Sequence, residues 1–145
     1  MAFFEWEDRF SVGIHGIDEQ HRRLFGLINK LHDVIERCEN RATLEAVLCE
    51  LETVTTVIAE LIDYAQYHFT TEEDYMRRYE FPESATHQAE HQQFVERVRD
   101  YQRRFEQKRT RISLEIAEFL VNWWRNHILH SDKKCGAFCC AKGAT

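Results

Sequence analysis

Between Val47 and Tyr79 the residues Val47, Leu51, Val54, Ile58, Leu61, Ala65, His68, Glu72, Tyr75 and Tyr79 follow one another in alternating steps of four and three. Those steps keep side chains on one face of an α-helix, and a stripe this long must be covered by other helices. Three further stripes carry the same spacing: Ile17, His21, Leu24, Ile28, Leu31 and Ile35; His87, His91, Phe94, Val98, Tyr101 and Phe105; and Ile116, Leu120, Trp123 and His127. No strand-like alternation of useful length competes with them. The economical architecture is all-α: an up-down-up-down antiparallel four-helix bundle, preceded by an extended N-terminal arm.

The helix boundaries are written in the turns. The single proline sits in "EFPESATH", where Phe81 and Pro82 precede Ser84, a good helix cap, so one helix stops near Glu80 and the next starts at Ser84. Weaker breaks fall at "CENRAT", where Thr43 can cap the following helix, and at "KRTRIS". The expected helices are 18–38, 43–79, 84–107 and 112–131. One domain over residues 1–133 follows, with 134–145 as a cysteine-containing tail.

Charge and cysteine usage narrow the setting. A net charge of −6 argues against general affinity for nucleic acid or anionic lipid, both of which call for a basic surface. "MAFFEWEDRF" has acids where a secretory signal has its basic region, and no apolar run is long enough to span a bilayer. Five cysteines, three of them crowded into "CGAFCC", fit reduced thiols in the cytoplasm better than a disulfide framework.

The stripes contain groups that helices do not bury freely. His21 is early in the first helix, His68 and Glu72 late in the second, His87 and His91 early in the third, and His127 late in the fourth. An up-down-up-down bundle brings all of them to one end. A single HxxxE or HxxxH pair is more often a local ion pair or cap. Together they cannot be, because burying this many unpaired titratable groups would cost several kcal/mol for each charged one, roughly the stability of a whole domain. A cation must sit among them, and imidazoles mixed with carboxylates favour a first-row transition metal over calcium or magnesium.

"VGIHGIDEQHRRL", "HFTTEEDYM", "HQAEH" and "WWRNHILHSD" closely resemble the hemerythrins, particularly the bacterial single-domain members, from about Trp6 to Lys133. The resemblance implies a non-haem centre of two iron ions joined by an oxo or hydroxo bridge. His87, His91 and His127 would hold one iron, His21 and His68 the other, and Glu72 and Asp132 would bridge both. Five imidazoles and two bridging carboxylates then fill about nine of the twelve positions around two six-coordinate ions, and the bridge fills two more. The remaining position, on the ion with two histidines, is where the family binds dioxygen. Neutral imidazoles support high-valent iron less well than carboxylate-rich sites do, which favours reversible oxygen binding, for transport, storage or sensing, over enzymatic chemistry. Phe25, Phe69, Trp123 and Ile128 would wall the pocket against water. The alternatives on the same ligands are a di-iron enzyme of the peroxidase or nitric oxide reductase type, and an iron-dependent interaction module with an unidentified protein partner.

Several positions depart from the pattern or leave it open. His127 and Asp132 are five apart, about 140° around an ideal helix, and spacing alone would prefer His130. A histidine cannot bridge two ions as a carboxylate can, so Asp132 follows the family and His130 becomes an outer or surface residue. Where family members usually carry a leucine beside the oxygen pocket, three residues before the fourth-helix histidine, this chain has Trp124, either a bulky gate or an outward-turned side chain. The long interval from His21 to His68 implies a first hairpin that protrudes or carries extra structure. "RVRDYQRRFEQKRTR" holds seven basic residues, read as a solvated face with a docking patch as the alternative. His15 is expected at the surface and His32 in the core away from the site. Cys135, Cys139 and Cys140 lack zinc spacing and are expected in a frayed, reduced tail.

Overall fold

A computed structural model describes residues 2–40, 43–108 and 115–145, with the side chains at 39, 44–51 and 108 outside that description. Four helices form the bundle: α1 (His15–Glu39), α2 (Leu44–Arg78), α3 (Ser84–Lys108) and α4 (Glu115–His127). Each packs on its two neighbours in chain order, and α1 meets α4 to close the ring. The pairs Gln20 with Thr71, His21 with His68, and Lys30 with Glu60 run in opposite senses along α1 and α2. Tyr101 with Phe119 and Phe94 with Trp123 do the same for α3 and α4. The antiparallel all-α bundle expected from the stripes is therefore the fold. Among the described residues no helix is long and apolar enough to cross a membrane.

The stripes become the core. Leu24, Ile28, Leu31 and Ile35 of α1, Ile58 and Leu61 of α2, Phe94 and Val98 of α3, and Leu120 of α4 are all essentially inaccessible. Removing each such side chain from water stabilises the fold by about 1.5–3 kcal/mol before the entropy of ordering is counted. The extended arm lies across this layer, with Phe4 stacked on Phe25 at 3.7 Å. Asn29 clamps the arm's backbone: the Phe4 amide donates to Asn29 Oδ1 (2.7 Å), and Asn29 Nδ2 donates to the Phe4 carbonyl (2.8 Å). Buried Asp18 holds the turn into α1, accepting from Ser11 Oγ (2.6 Å) and the Val12 amide (2.8 Å).

The α2–α3 turn falls where the proline predicts, by a mechanism of its own. The Phe81 amide reaches back to the Met76 carbonyl (2.8 Å) and the Glu80 amide to Arg77, closing α2 with Glu80 in the left-handed region at φ 55°. Ser84 opens α3 as its first residue. Its hydroxyl donates to the Phe81 carbonyl (2.6 Å), which locks the turn. The expected break at "KRTRIS" and Cys49 lie outside the described residues and side chains.

Beyond His127 the chain does not stop near 131 as expected. It passes through a π-helical turn, Ile128–Asp132, and continues as α5, Lys133–Ala141. Cys135 and Cys139 are buried there, and Phe138 packs on Phe81. The C-terminal residues are thus a docked helix and not a frayed tail. Gly136 makes the docking close, because a Cβ at this position would lie 2.3 Å from the Val12 carbonyl oxygen. Cys135, Cys139 and Cys140 form no disulfide among the described residues.

His21 and His68 are 47 positions apart in sequence and His91 and His127 36 apart, and among the described residues α2 is the longest helix, at 35 residues.

Candidate metal centre

Seven side chains from all four helices and the π-turn converge at one end of the core. His21 and His68 are fully inaccessible, and Glu72, His87, His91, His127 and Asp132 are buried. The bottoms of the stripes supply six of them, because steps of four and three keep His21, His68, Glu72, His87, His91 and His127 on the core-facing sides of their helices. Asp132 arrives differently. A continuous α-helix would turn it away from His127, but the i→i+5 hydrogen bonding of a π-turn stacks residues five apart. His127 Nε2 and Asp132 Oδ1 are consequently 2.9 Å apart. His130 faces outward, its Nδ1 2.8 Å from the Asn126 carbonyl.

The seven groups divide into two sets sharing their carboxylates. On one side His87, His91 and His127 bring their Nε2 atoms together, His127 standing 3.1 Å from His87 and 3.2 Å from His91. On the other, His21 and His68 face each other at 3.1 Å. Asp132 turns Oδ1 toward His87 (3.0 Å) and Oδ2 toward His21 (3.1 Å). Glu72 places Oε2 3.2 Å from His91 and Oε1 3.5 Å from His68. Within each set the donor atoms lie within 4.8 Å of one another.

This arrangement fits metal ions and little else. Nitrogens about 3 Å apart have the spacing of adjacent ligands at right angles on a first-row ion with bonds of about 2.1 Å. Glu72 Oε2 and Asp132 Oδ2 are buried without a hydrogen bond of acceptable geometry, although imidazole nitrogens stand nearby. Such atoms are costly unless a cation holds them.

The protonation of the metal-free centre makes the same point. Burial is the largest influence on His68 and lowers it to about 3, against the opposing charge of Glu72. Burial also works to lower His87 and His127, but the hydrogen bonds and charges of Asp132 and Glu72, with Glu90 assisting at His127, outweigh it and raise them to about 10 and about 9. Burial pushes Asp132 and Glu72 upward, yet the surrounding imidazoles hold both well below the usual carboxylate range. Without metal, protons on the three-imidazole side balance the two carboxylates.

An outer layer fixes the imidazoles. His68 Nδ1 lies 2.8 Å from Gln20 Oε1, His91 Nδ1 3.0 Å from Glu73 Oε1, and His127 Nδ1 2.7 Å from Glu90 Oε2. Each Nδ1–H donates to that oxygen, which directs Nε2 inward. Ser131 Oγ donates to Glu90 as well (2.6 Å), and the hydrogen bond to His127 holds Glu90 down to about 2. The stripes did not reveal Gln20, Glu73, Glu90 or Ser131. A usable signal existed: Gln20, Glu73, Glu90 and Ser131 each directly adjoin a centre residue in sequence, and each adjoining position faces a neighbouring helix at the same level.

Among the wall residues, Phe69 stacks on His91 at 3.9 Å, Trp123 stacks on His127 at 4.3 Å, and Ile128 is fully buried. Phe25 instead packs against the arm residues Phe4, Trp6 and Phe10. Trp124 turns inward and is fully buried against Phe69, Phe94 and both His21 and His68. His15 is exposed, as expected. His32 is largely covered, its side chain 15% exposed, and it stacks on Phe3 at 4.0 Å at the edge of the core, away from the centre as expected. In the basic stretch, Arg97 lies over Tyr101 and Phe119, and Arg103 and Arg104 pair with Asp100, as on a solvated face.

Residues 12–138 match the family model described as the hemerythrin HHE cation binding domain. The chain belongs to the hemerythrin family. Among curated hemerythrin relatives it is 37% identical over 133 residues to the bacteriohemerythrin of Stenotrophomonas maltophilia, covering 92% of this chain and 79% of that one. It is 30% identical over 132 residues to the bacteriohemerythrin of Clostridium acetobutylicum, covering 90% and 97%. A wild-type hemerythrin crystal structure superposes with a TM-score of 0.81 at 28% identity, covering 95% of this chain and 98% of that chain. The cluster of buried histidines and carboxylates is thus a hemerythrin-type metal-binding centre.

Proposed function

We propose that the centre holds two iron ions and binds dioxygen reversibly, in oxygen transport, storage or sensing. His87, His91 and His127 would hold one ion and His21 and His68 the other, with Glu72 and Asp132 available to both. The supporting observation is the unequal division of five imidazoles across two shared carboxylates, which leaves the two-histidine side one donor short. Iron held there in the ferrous state would supply the electrons that dioxygen accepts on binding.

The chain's own part is to bind, orient and exclude. Gln20, Glu73 and Glu90 fix three imidazoles through their Nδ1–H groups. Phe69, Trp124 and Ile128 exclude bulk water. Carboxylates are few among the inward-facing groups, which supports a carrier over an oxygenating enzyme. The test is an anaerobic preparation of ferrous protein cycled between oxygen and argon and followed by absorbance. A charge-transfer band that appears and disappears over repeated cycles is expected. Irreversible conversion to ferric protein with substrate turnover would instead indicate the peroxidase or nitric oxide reductase type.

A further inference from the structure

Trp124 holds a hydrogen-bond donor with nothing to donate to. Its side chain is fully buried, and its Nε1–H has no partner. An unpaired buried donor costs about 1–3 kcal/mol, and native proteins keep few of them. Its surroundings explain the lack of an acceptor. Phe69 stacks along the indole at 5.5 Å, and Phe94 and Trp123 meet it edge-on at 5.2 Å and 5.0 Å. The polar rings nearby are His68 at 5.7 Å and His21 and His127 at 6.3 Å, whose Nε2 atoms are committed to the centre. The indole thus borders both imidazoles of the side that is one donor short.

We infer that the Trp124 indole N–H is the hydrogen-bond donor to a small, acceptor-bearing ligand, diatomic or a short linear anion, held on the two-histidine side of the centre. This rests on the two-ion reading above. The indole acts there in two ways. Its bulk limits the size of what can enter, and its N–H selects ligands whose outer atom carries a lone pair. In the ligand-free protein the same N–H is an unsatisfied group, so ligand binding removes a penalty that the fold otherwise carries.

Azide, a linear anion with acceptor ends, is a suitable probe. Ferric, iron-loaded wild type, Trp124→Phe and Trp124→Leu are assayed for iron per chain and then titrated with azide by absorbance. With two irons per chain in all three, the Phe variant should bind azide about tenfold more weakly, because it keeps the ring and loses the donor. The Leu variant should also bind more weakly, despite its greater space. Melting temperatures of the three metal-free proteins are measured alongside, so that packing lost with the larger ring is read separately from loss of the donor. Unchanged azide affinity in the Phe variant at full iron content, or tighter binding in the Leu variant, would overturn the donor role and leave the two-ion reading standing. Fewer than two irons in wild type would overturn both.

Discussion

At the scale of single residues, small choices decide whether the centre is held firmly. Glu90 accepts from His127 Nδ1 and from Ser131, so its negative charge raises the basicity of one imidazole and fixes its ring. Glu90→Gln keeps the shape and removes the charge. Metal affinity on the three-imidazole side should fall about 10–100-fold, measured by competition with a chromophoric chelator. Unchanged affinity would show that Glu90 is only a surface partner. Gly136 acts by being absent: a methyl group there meets the Val12 backbone at 2.3 Å, and backbone cannot step aside as a flexible side chain can. Gly136→Ala should destabilise by about 1–3 kcal/mol despite the better helix propensity of alanine, read from the urea midpoint. A more stable variant would mean that α5 does not press on the arm.

At the scale of elements, the helices were legible because a stripe of four-three steps has only one regular solution. Six of the seven centre residues were legible for the same reason, since each interrupts such a stripe with a group that has no reason to be buried alone. Asp132 was not legible from spacing, because the π-turn changes the angular arithmetic and nothing in "ILHSD" announces it. The family resemblance supplied that residue. Helix α5 was missed on different grounds: "KKCGAFCCA" is short, carries a glycine in its interior and lacks a long apolar repeat, and its order comes from tertiary packing on Val12, Tyr75 and Phe81. The outer partners Gln20, Glu73 and Glu90 look like ordinary surface polar residues until the neighbouring helix is in place. The α2–α3 turn shows a local cost that the sequence disguises, since Glu80 occupies a left-handed conformation that glycine adopts without strain. Glu80→Gly should therefore raise stability by about 0.5–1 kcal/mol after the larger entropy of unfolded glycine is counted. A loss of stability on equilibrium unfolding would mean that the Glu80 side chain does more than the turn requires.

At the scale of the whole molecule, the centre ties stability to pH and to metal. His87 and His127 are raised from an ordinary 6.5 to about 10 and about 9. Raised histidines stabilise fully below about pH 6.5 and lose that contribution as pH climbs through 9 and 10. His68, lowered to about 3, acts in the opposite sense, so its contribution is lost as pH falls from about 6.5 toward 3. Metal-free protein should melt highest near pH 6.5 and lower at about pH 4 and about pH 9.5. Metal takes the place of the protons on His87 and His127, so the alkaline decline should flatten in loaded protein while the overall melting temperature rises. Thermal melts followed by circular dichroism across this range, with and without metal, would show it. A flat alkaline limb in metal-free protein would contradict the assignment of those protons.

The central claim is that one chain offers two adjoining ion sites built from five imidazoles and two shared carboxylates. Its most direct test is an anaerobic titration of metal-free protein with ferrous iron, followed by removal of unbound metal and elemental analysis. Wild type should break at two irons per chain, and His68→Ala and His91→Ala, each struck from a different side, should both retain fewer. A break at one iron or none in wild type, or undiminished iron in both variants, would contradict the account.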